Sequence, residues 1–298
     1  MRVNPDYMTG LVGSLDATSS SEATLTEELA SGSRVNSLSD DPVAAGENVL
    51  LSAQIASDDS FSQTASSTQS MLQVSDSALS TVVSQLTSAI SLSIEANNGT
   101  MSSSNVQSIS NQLAGIRDEV LSMANTTYLG RYVFSGGQGG TTPYTLNTTV
   151  SPAVATYQGD SDVQYLETPN GQKVQLNVPG SQIFSAAGSN VLGTLNALVA
   201  DYATGTPSST ATADTAALST ALGYVSQQRV LIDNSITRLT AAQNYTQSEQ
   251  TQLTSVQTNL LQADVGQIAT QLSTAETQQT ALSQVIATMG KQSLFNDL

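Results

Sequence analysis

Apolar side chains near the start of the chain recur at alternating spacings of three and four residues. Between residues 8 and 29 this spacing is occupied mainly by apolar side chains, namely Met8, Leu11, Leu15, Leu25 and Leu29. A spacing of this kind lines one face of a helix. We therefore predict an amphipathic helix that follows Pro5 and ends before the glycine- and serine-rich residues 31–37.

A second, much longer helix is predicted from Pro42 to about Ala96. Within it, Leu72, Leu79 and Leu86 recur every seven residues, as in a coiled coil. At a rise of about 1.5 Å per residue, this helix would be about 80 Å long. Polar residues and a glycine interrupt the pattern at residues 97–105. A third helix is predicted after them, because consecutive seam positions are apolar: Val106, Ile109, Leu113, Ile116, Val120 and Met123.

The C-terminal part of the chain mirrors this arrangement. A seven-residue repeat runs from about Asp214 to Leu261 and is broken by Thr246. After Gly266 a shorter stripe follows. The two helix-rich ends are predicted to form a long antiparallel coiled-coil rod. Each terminal stripe is one helix with a narrow seam, so we predict that both serve as an assembly interface: Met8, Leu11, Leu15, Leu25, Leu29, Ile268, Leu272, Leu282, Ile286, Met289, Leu294, Phe295 and Leu298.

The middle of the chain has a different pattern. Residues 133–210 hold most of the prolines, and the sequence VQYLETPNGQKVQLNV is typical of a β-hairpin. A two-residue turn at Asn170 and Gly171 would place Tyr165 opposite Leu176. The predicted fold is therefore mainly α with a small β-rich insert. The predicted domains are terminal segments 1–41 and 264–298, a helical rod of 42–132 and 211–263, and an insert of 133–210.

The acidic residues Asp40 and Asp41 stand directly before Pro42, at the predicted start of the second helix. An aspartate at the N-cap accepts hydrogen bonds from free backbone N–H groups, and proline at the first helical position loses none. Asp40, Asp41 and Pro42 are therefore interpreted as a helix-start motif. A cation site here, or at Asp160 and Asp162, is the weaker alternative, because the spacing matches no calcium loop.

Composition excludes several classes of function. The formal net charge of -16 disfavours binding to nucleic acid and to anionic membranes. No continuous apolar run approaches the roughly 20 residues that span a bilayer. The chain has no cysteine and no histidine, so it lacks thiolate chemistry and the commonest general base. We predict no catalytic site, no cofactor and no metal, and read the glycine-rich SGGQGG as a loop because it lacks the P-loop lysine.

Several motifs resemble those of bacterial flagellar proteins. LASGSRVNSLSDDPVAA is similar to the N-terminal signature of flagellins and hook-associated proteins. LGRYVFSGGQGGTTPY, ATYQGD, NGQKVQLNVPGSQIF and the ending ADVGQIATQLSTAETQQTALSQVIATMGKQSLFNDL resemble, in this order, the hook-associated protein 3 family. Together these stretches extend over almost the whole chain.

The resemblance implies a structural adaptor of the flagellum, between the other hook-associated junction protein and flagellin. It implies copies of the chain in a ring, an export chaperone before secretion, and export to the extracellular flagellum by the type III route. That route fits the absence of a signal-peptide pattern at the N-terminus. A flagellin is the nearest alternative, a secreted coiled-coil adhesin or effector comes next, and an enzyme is remote.

Overall fold

The computed structural model describes the backbone of residues 5–294 and the side chains of residues 7–289. Seven helices and six strands follow one another within residues 5–294. The helices are α1 (Pro5–Ser31), α2 (Pro42–Ala96), α3 (Ser103–Ala124), α4 (Gly180–Ile183), α5 (Val191–Tyr202), α6 (Ala211–Leu261) and α7 (Val265–Leu294). The strands are β1 (Thr127–Tyr128), β2 (Arg131–Tyr132), β3 (Tyr144–Asn147), β4 (Val154–Tyr157), β5 (Tyr165–Glu167) and β6 (Lys173–Gln175).

This arrangement confirms the predicted fold class, a mainly helical chain with long helices at both ends and a small β-containing middle. The chain folds as two compact units. Unit 1 comprises Met1–Ser57 and Ser248–Leu298, and unit 2 comprises Asp58–Gln247. The long helices α2 and α6 each contribute residues to both units. The predicted three-part division, with boundaries after residues 41, 132, 210 and 263, stays a prediction.

Unit 2 has a core built on the predicted seam. Leu79 and Leu86 of α2 are fully buried, as are Val225 and Leu239 of α6. An ion pair crosses between these helices, since Arg229 Nε lies 2.8 Å from Asp76 Oδ1. From α3, the residues Val106, Ile109, Leu113 and Val120 are buried in the same core. The seven-residue apolar repeat thus packs long helices of one chain against each other.

The middle of the chain contains three separate two-stranded antiparallel sheets, β1–β2, β3–β4 and β5–β6. A helix also lies there that the sequence analysis missed. Residues 191–202 were assigned to a β-rich insert, yet they form α5, which packs against α3. Five apolar or aromatic residues of α5 are buried: Val191, Leu192, Leu195, Leu198 and Tyr202. Leucine and alanine dominate this segment, and both are strong helix formers.

The register of the β5–β6 hairpin was predicted wrongly by one residue. Tyr165 pairs with Gln175 instead of Leu176. Gly171 has a positive φ of 77°, whereas Asn170 does not, so the two-residue turn with positive φ at both positions is absent. Instead the Gly171 amide donates to the Thr168 carbonyl at 2.8 Å. Pro169 favours this turn because its ring fixes φ near the value that the second turn position needs.

An aromatic cluster holds the β-containing region to α4. The rings of Phe134 and Phe184 meet edge to face, with centroids 5.5 Å apart. Tyr144 packs edge to face on Phe184 at 5.8 Å, and its hydroxyl donates to the Gly180 carbonyl at 2.9 Å. Burial raises the pKa of the Tyr144 hydroxyl. That hydroxyl therefore stays protonated, and can donate its hydrogen bond, at neutral and mildly alkaline pH.

The SGGQGG segment is a structural loop held by Asp160. The Gly137 amide donates to Asp160 Oδ1 at 2.7 Å, and the Asp160 amide donates to the Ser135 carbonyl at 3.1 Å. Gly136 has a φ of 73°, and a Cβ there would overlap both the carboxylate and the carbonyl oxygen of Asp160. This position therefore requires glycine.

We expect Gly136→Ala to lower the free energy of unfolding of the full-length protein. The left-handed backbone alone costs a non-glycine residue about 1–2 kcal/mol, and the overlap with Asp160 adds to it. Gly140→Ala is the matched control, because a Cβ at Gly140 meets no atom within 4 Å. Urea unfolding followed by tyrosine fluorescence measures both. Equal midpoints for the two variants would contradict this account of the loop.

Candidate assembly site

The candidate site is unit 1, in which α1 packs on α7. Eight of the predicted stripe residues are half-buried in this unit: Met8, Leu11, Leu15, Leu25, Leu272, Leu282, Ile286 and Met289. Ile268 is only 4% exposed, whereas Leu29 is 38% exposed. Leu294 belongs to α7, but its side chain is not described, and Phe295 and Leu298 lie outside the described residues. The structure thus brings most of the predicted interface together inside one chain.

A short backbone bridge joins the end of α1 to the start of α7. Ser33 pairs with Gln262 in an antiparallel β-bridge. The Arg34 amide donates to the Leu261 carbonyl at 2.7 Å, and the Ala263 amide donates to the Gly32 carbonyl at 3.1 Å. Gly32 has a φ of 68°, which favours glycine directly after a helix. The bridge fixes the two helices as an antiparallel pair.

Arg34 connects this bridge to the start of α2. Its guanidinium donates to Asp41 Oδ2 at 3.0 Å and to the Leu260 carbonyl at 3.3 Å. Sequence reasoning assigned no role to Arg34, although it is a single basic residue within an acidic motif. The opposite charge of Asp41, seven residues later, was the available signal.

The carboxylate of Asp41 lies over the first turn of α2. Its Oδ1 accepts the Ala44 amide at 3.0 Å and the Val43 amide at 3.2 Å, and Pro42 is the first residue of the helix. The hydrogen bond from Ala44, followed by that from Arg34, lowers the pKa of Asp41. This is the geometry of an N-cap, in which a side chain accepts N–H groups that have no partner within the helix.

Asp40 organises the turn before α2. Its Oδ1 accepts the Ser37 hydroxyl at 2.8 Å, and its Oδ2 accepts the Ser37 amide at 2.7 Å and the Asn36 amide at 3.0 Å. The hydroxyl of Ser37, and then the two amides, lower the pKa of Asp40. The carboxylate oxygens of Asp40 and Asp41 thus accept hydrogen bonds from N–H and O–H groups of the protein itself. Among the residues that the structure describes, no three acidic side chains cluster as a metal site would need.

Side-chain hydrogen bonds also link α2 to α6 within unit 1. Gln257 Nε2 donates to Asn48 Oδ1 at 2.7 Å and to Ser52 Oγ at 2.9 Å. Four apolar residues around the start of α2 are exposed to solvent. Leu38, Val43, Val49 and Leu50 are all between 65% and 72% exposed. The sequence analysis did not single them out, although Val43 and Leu50 are seven residues apart and so share a helix face.

By length and composition, α2 would also pass as a membrane-spanning helix. An 18-residue window within it has a mean hydropathy of 1.3. The sequence analysis found no such stretch because it looked for an unbroken apolar run. A core helix of a soluble protein passes the same test, and Leu72, Leu79 and Leu86 of α2 are buried in unit 2. The finding is weak evidence, and the absence of a membrane partner stays a prediction.

Comparison with known proteins shows which family this architecture resembles. Residues 11–138 match the bacterial flagellin N-terminal helical region. This part of the chain is flagellin-like. The stretch includes the bridge residues 32–34, the helix start at Asp41 and Pro42, and the SGGQGG loop.

Two curated relatives are similar over a longer stretch. Flagellar hook-associated protein 3 of Salmonella typhimurium is 29% identical over 169 residues, and that of Escherichia coli is 29% identical over 167 residues. Each alignment covers 56% of this chain. The chain spans about half the length of these relatives, since the alignments cover 51% of each.

Solved structures share the fold. A putative flagellar hook-associated protein from Vibrio parahaemolyticus matches with a TM-score of 0.66 at 21% identity, over 75% of this chain and 100% of its own. The flagellar junction protein FlgL from Legionella pneumophila matches with a TM-score of 0.57 at 14% identity, over 72% of this chain and 99% of its own. At these identities the likeness establishes the fold alone.

We expect Asp41→Ala to loosen the start of α2, because the first-turn amides lose their acceptor and Arg34 loses its partner. Faster hydrogen exchange of the Val43 and Ala44 amides, with unchanged exchange in α3, is the predicted result. Asp41→Asn is the control, since its amide oxygen still accepts. Exchange at Val43 and Ala44 that is the same in wild type and Asp41→Ala would refute the capping role.

Acid should destabilise the turn at Asp40 and the first turn of α2 at Asp41. A carboxylate whose pKa is lowered in the folded state contributes stability above its unfolded pKa of about 3.9 and loses it as the pH falls through the lowered folded value. The pKa values of both Asp40 and Asp41 are lowered in the folded protein. Exchange of the Ser37 and Ala44 amides, corrected for intrinsic rates, should therefore accelerate below about pH 4. Unchanged protection down to pH 2 would contradict this assignment.

Proposed function

We propose that the protein is a structural adaptor of the bacterial flagellum. It joins the hook, through the other hook-associated junction protein, to the filament of flagellin. The observation that carries the proposal is the similarity to flagellar hook-associated protein 3 of two bacteria. The flagellin-like residues 11–138 and the fold shared with a flagellar junction protein support it.

Unit 1 offers the surface through which such an adaptor meets its neighbours. Its large exposed apolar side chains include Leu38, Val43, Val49 and Leu50 around the start of α2. Apolar side chains that are clustered at a surface mark interaction sites, and full burial of a leucine contributes roughly 1.5–3 kcal/mol. The neighbours that we propose are copies of the chain in a ring, the other junction protein, and flagellin.

The terminal stripes take a second part in this proposal. Most of their residues are half-buried in the α1–α7 pair, so each still exposes area that a neighbour can cover. Assembly would then complete the burial that pairing begins. Before export, the same stripes are the place where an export chaperone binds an amphipathic helix. The protein works outside the cell in the flagellum and has no enzymatic role.

A flagellin is the second candidate, because the matched family region is that of flagellins themselves. The two functions differ in copy number and position. An adaptor forms one short zone at the end of the hook, whereas a flagellin is distributed along the filament.

Immunogold labelling of flagella from the source bacterium separates these functions. We expect gold particles at the hook–filament boundary alone. In a deletion strain, we expect cells with hooks but no filaments and with flagellin released into the medium. Label along the whole filament would identify a flagellin, and normal filaments in the deletion strain would overturn the proposal.

Leu50→Asp tests the proposed surface. Leu50 is 72% exposed, so a charge there should leave folding intact but prevent a neighbour from burying it. We expect an unchanged circular dichroism spectrum and a loss of swimming in a complementation assay. Ile94→Asp is the matched control, because Ile94 lies on the same helix, is 61% exposed and belongs to unit 2. Full motility with Leu50→Asp would exclude this face.

A further inference from the structure

The connection between α5 and α6 is fastened around Asp201, the penultimate residue of α5. Asp201 is 8% exposed. Its Oδ1 accepts hydrogen bonds from the hydroxyls of Ser208 and Thr210, the latter at 2.8 Å, and its carbonyl accepts the Ser208 amide at 3.1 Å. One buried aspartate therefore holds the segment that leads into α6.

The second carboxylate oxygen of Asp201, Oδ2, differs from Oδ1 in its hydrogen bonding. Oδ2 is buried and accepts no hydrogen bond from any N–H or hydroxyl group. A buried carboxylate oxygen without a donor is costly, because it has lost water and gained nothing in exchange. A neighbouring group that supplies a proton to Oδ2 would offset this cost.

Asp214 is the carboxyl group next to Asp201. It lies in the first turn of α6, and its amide donates to the Thr210 carbonyl at 2.9 Å. Thr210 thus contacts both acidic residues. The carboxyl of Asp214 is within hydrogen-bonding reach of Asp201, and burial, followed by this contact with Asp201, raises the pKa of Asp214. Two carboxyl groups can bond to each other only while one of them carries a proton.

The groups that α2 and α3 bring to this connection through the contacts below are uncharged. From the end of α2, the Asn97 amide donates to the Thr215 hydroxyl at 3.3 Å, and the Ser93 carbonyl accepts the buried hydroxyl of Tyr202. From the start of α3, Ser103 lies against Gly205. Burial raises the pKa of Tyr202, so this hydroxyl stays neutral while carboxyl groups titrate. None of the ion pairs formed by described residues includes Asp201 or Asp214.

We propose that Asp201 and Asp214 share one proton, and that this proton stabilises the α5–α6 connection of unit 2. While it is bound, Asp201 Oδ2 has a donor and the pair carries a single negative charge. When it leaves, two like charges face each other at a site with no cation. The repulsion then loosens residues 203–210 and the first turn of α6.

The direction of the pH effect follows from the sign of the shift. A carboxyl whose folded pKa is raised binds its proton more tightly in the folded state. The stability that it contributes is present below the raised pKa and is lost as the pH rises through it. Acidification from neutral pH should therefore tighten the α5–α6 connection. Asp40 and Asp41 of unit 1 have the opposite sign, and they provide an internal comparison in the same sample.

Two aspartate variants and one control test the proposal in the full-length protein. Asp214→Asn keeps a neutral donor beside Oδ2 at every pH. Asp201→Asn keeps the acceptor for Ser208 and Thr210 but removes the charge that faces Asp214. Glu95→Gln is the control, because Glu95 is an exposed carboxylate near the end of α2. The measurement is hydrogen exchange of the Gly205, Ser208 and Ala211 amides as a function of pH, corrected for intrinsic rates.

In wild type and in Glu95→Gln, we expect protection of these amides to rise as the pH falls from neutral. In Asp214→Asn it should stay high and independent of pH. In Asp201→Asn, the carboxyl carbon resonance of Asp214 should titrate at a lower pH than in wild type. Protection that has the same pH profile in wild type and Asp214→Asn would overturn the proposal. A wild-type Asp214 resonance that titrates like an exposed aspartate would overturn it as well.

Discussion

Pairing between two segments that are far apart in sequence controls the architecture of unit 1. The hydroxyl of Ser33 donates to the carbonyl of Leu261, 228 positions later, and the neighbouring amides complete the bridge. The entropic cost of closing so long a loop grows only with the logarithm of its length, so an insertion between the two segments is tolerated. Once the bridge forms, the end of α1 lies beside the start of α7, and the two helices run antiparallel. The packing of α1 on α7 then leaves most stripe residues of both helices half-buried.

Charged residues are scarce in this chain, and serine and threonine occupy many exposed positions of α1 and α7. Many serine and threonine hydroxyls on helix surfaces donate to the carbonyl four residues earlier; Thr18 and Thr26 of α1 and Thr270 and Thr288 of α7 are examples. Such bonds satisfy the hydroxyl without a charged partner, but they do not strengthen a helix, and threonine has a low helix propensity. These helices therefore depend on packing against other helices, inside the chain or between chains.

The long elements were predictable from the sequence because each repeats one signal many times. The bounds of α2 follow from a proline after two aspartates and from seven-residue spacing as far as Ala96. The short elements were not, since α5 has twelve residues within a region rich in proline and glycine. The β5–β6 register depended on whether Pro169 or Asn170 is the first central residue of the turn, and both residues are favoured at such a position. Asp214 looked like an ordinary acidic residue at a helix start, because its neighbour Asp201 is brought to it only by the fold.

Periodicity alone also could not say which partner buries an apolar stripe. The spacing of Met8, Leu11 and Leu15 is equally compatible with a helix of the same chain and with a helix of a neighbour. The structure places these residues in the α1–α7 pair but leaves them only half-buried. By contrast, Val43 and Leu50 lie outside every seam that the sequence analysis defined, and they are more exposed than Leu29. Apolar side chains that no helix of the same chain covers are a more specific sign of a neighbour than the stripes are. For this reason, the Leu50 face tests assembly more directly than a seam residue, whose replacement would disturb the pairing within the chain as well.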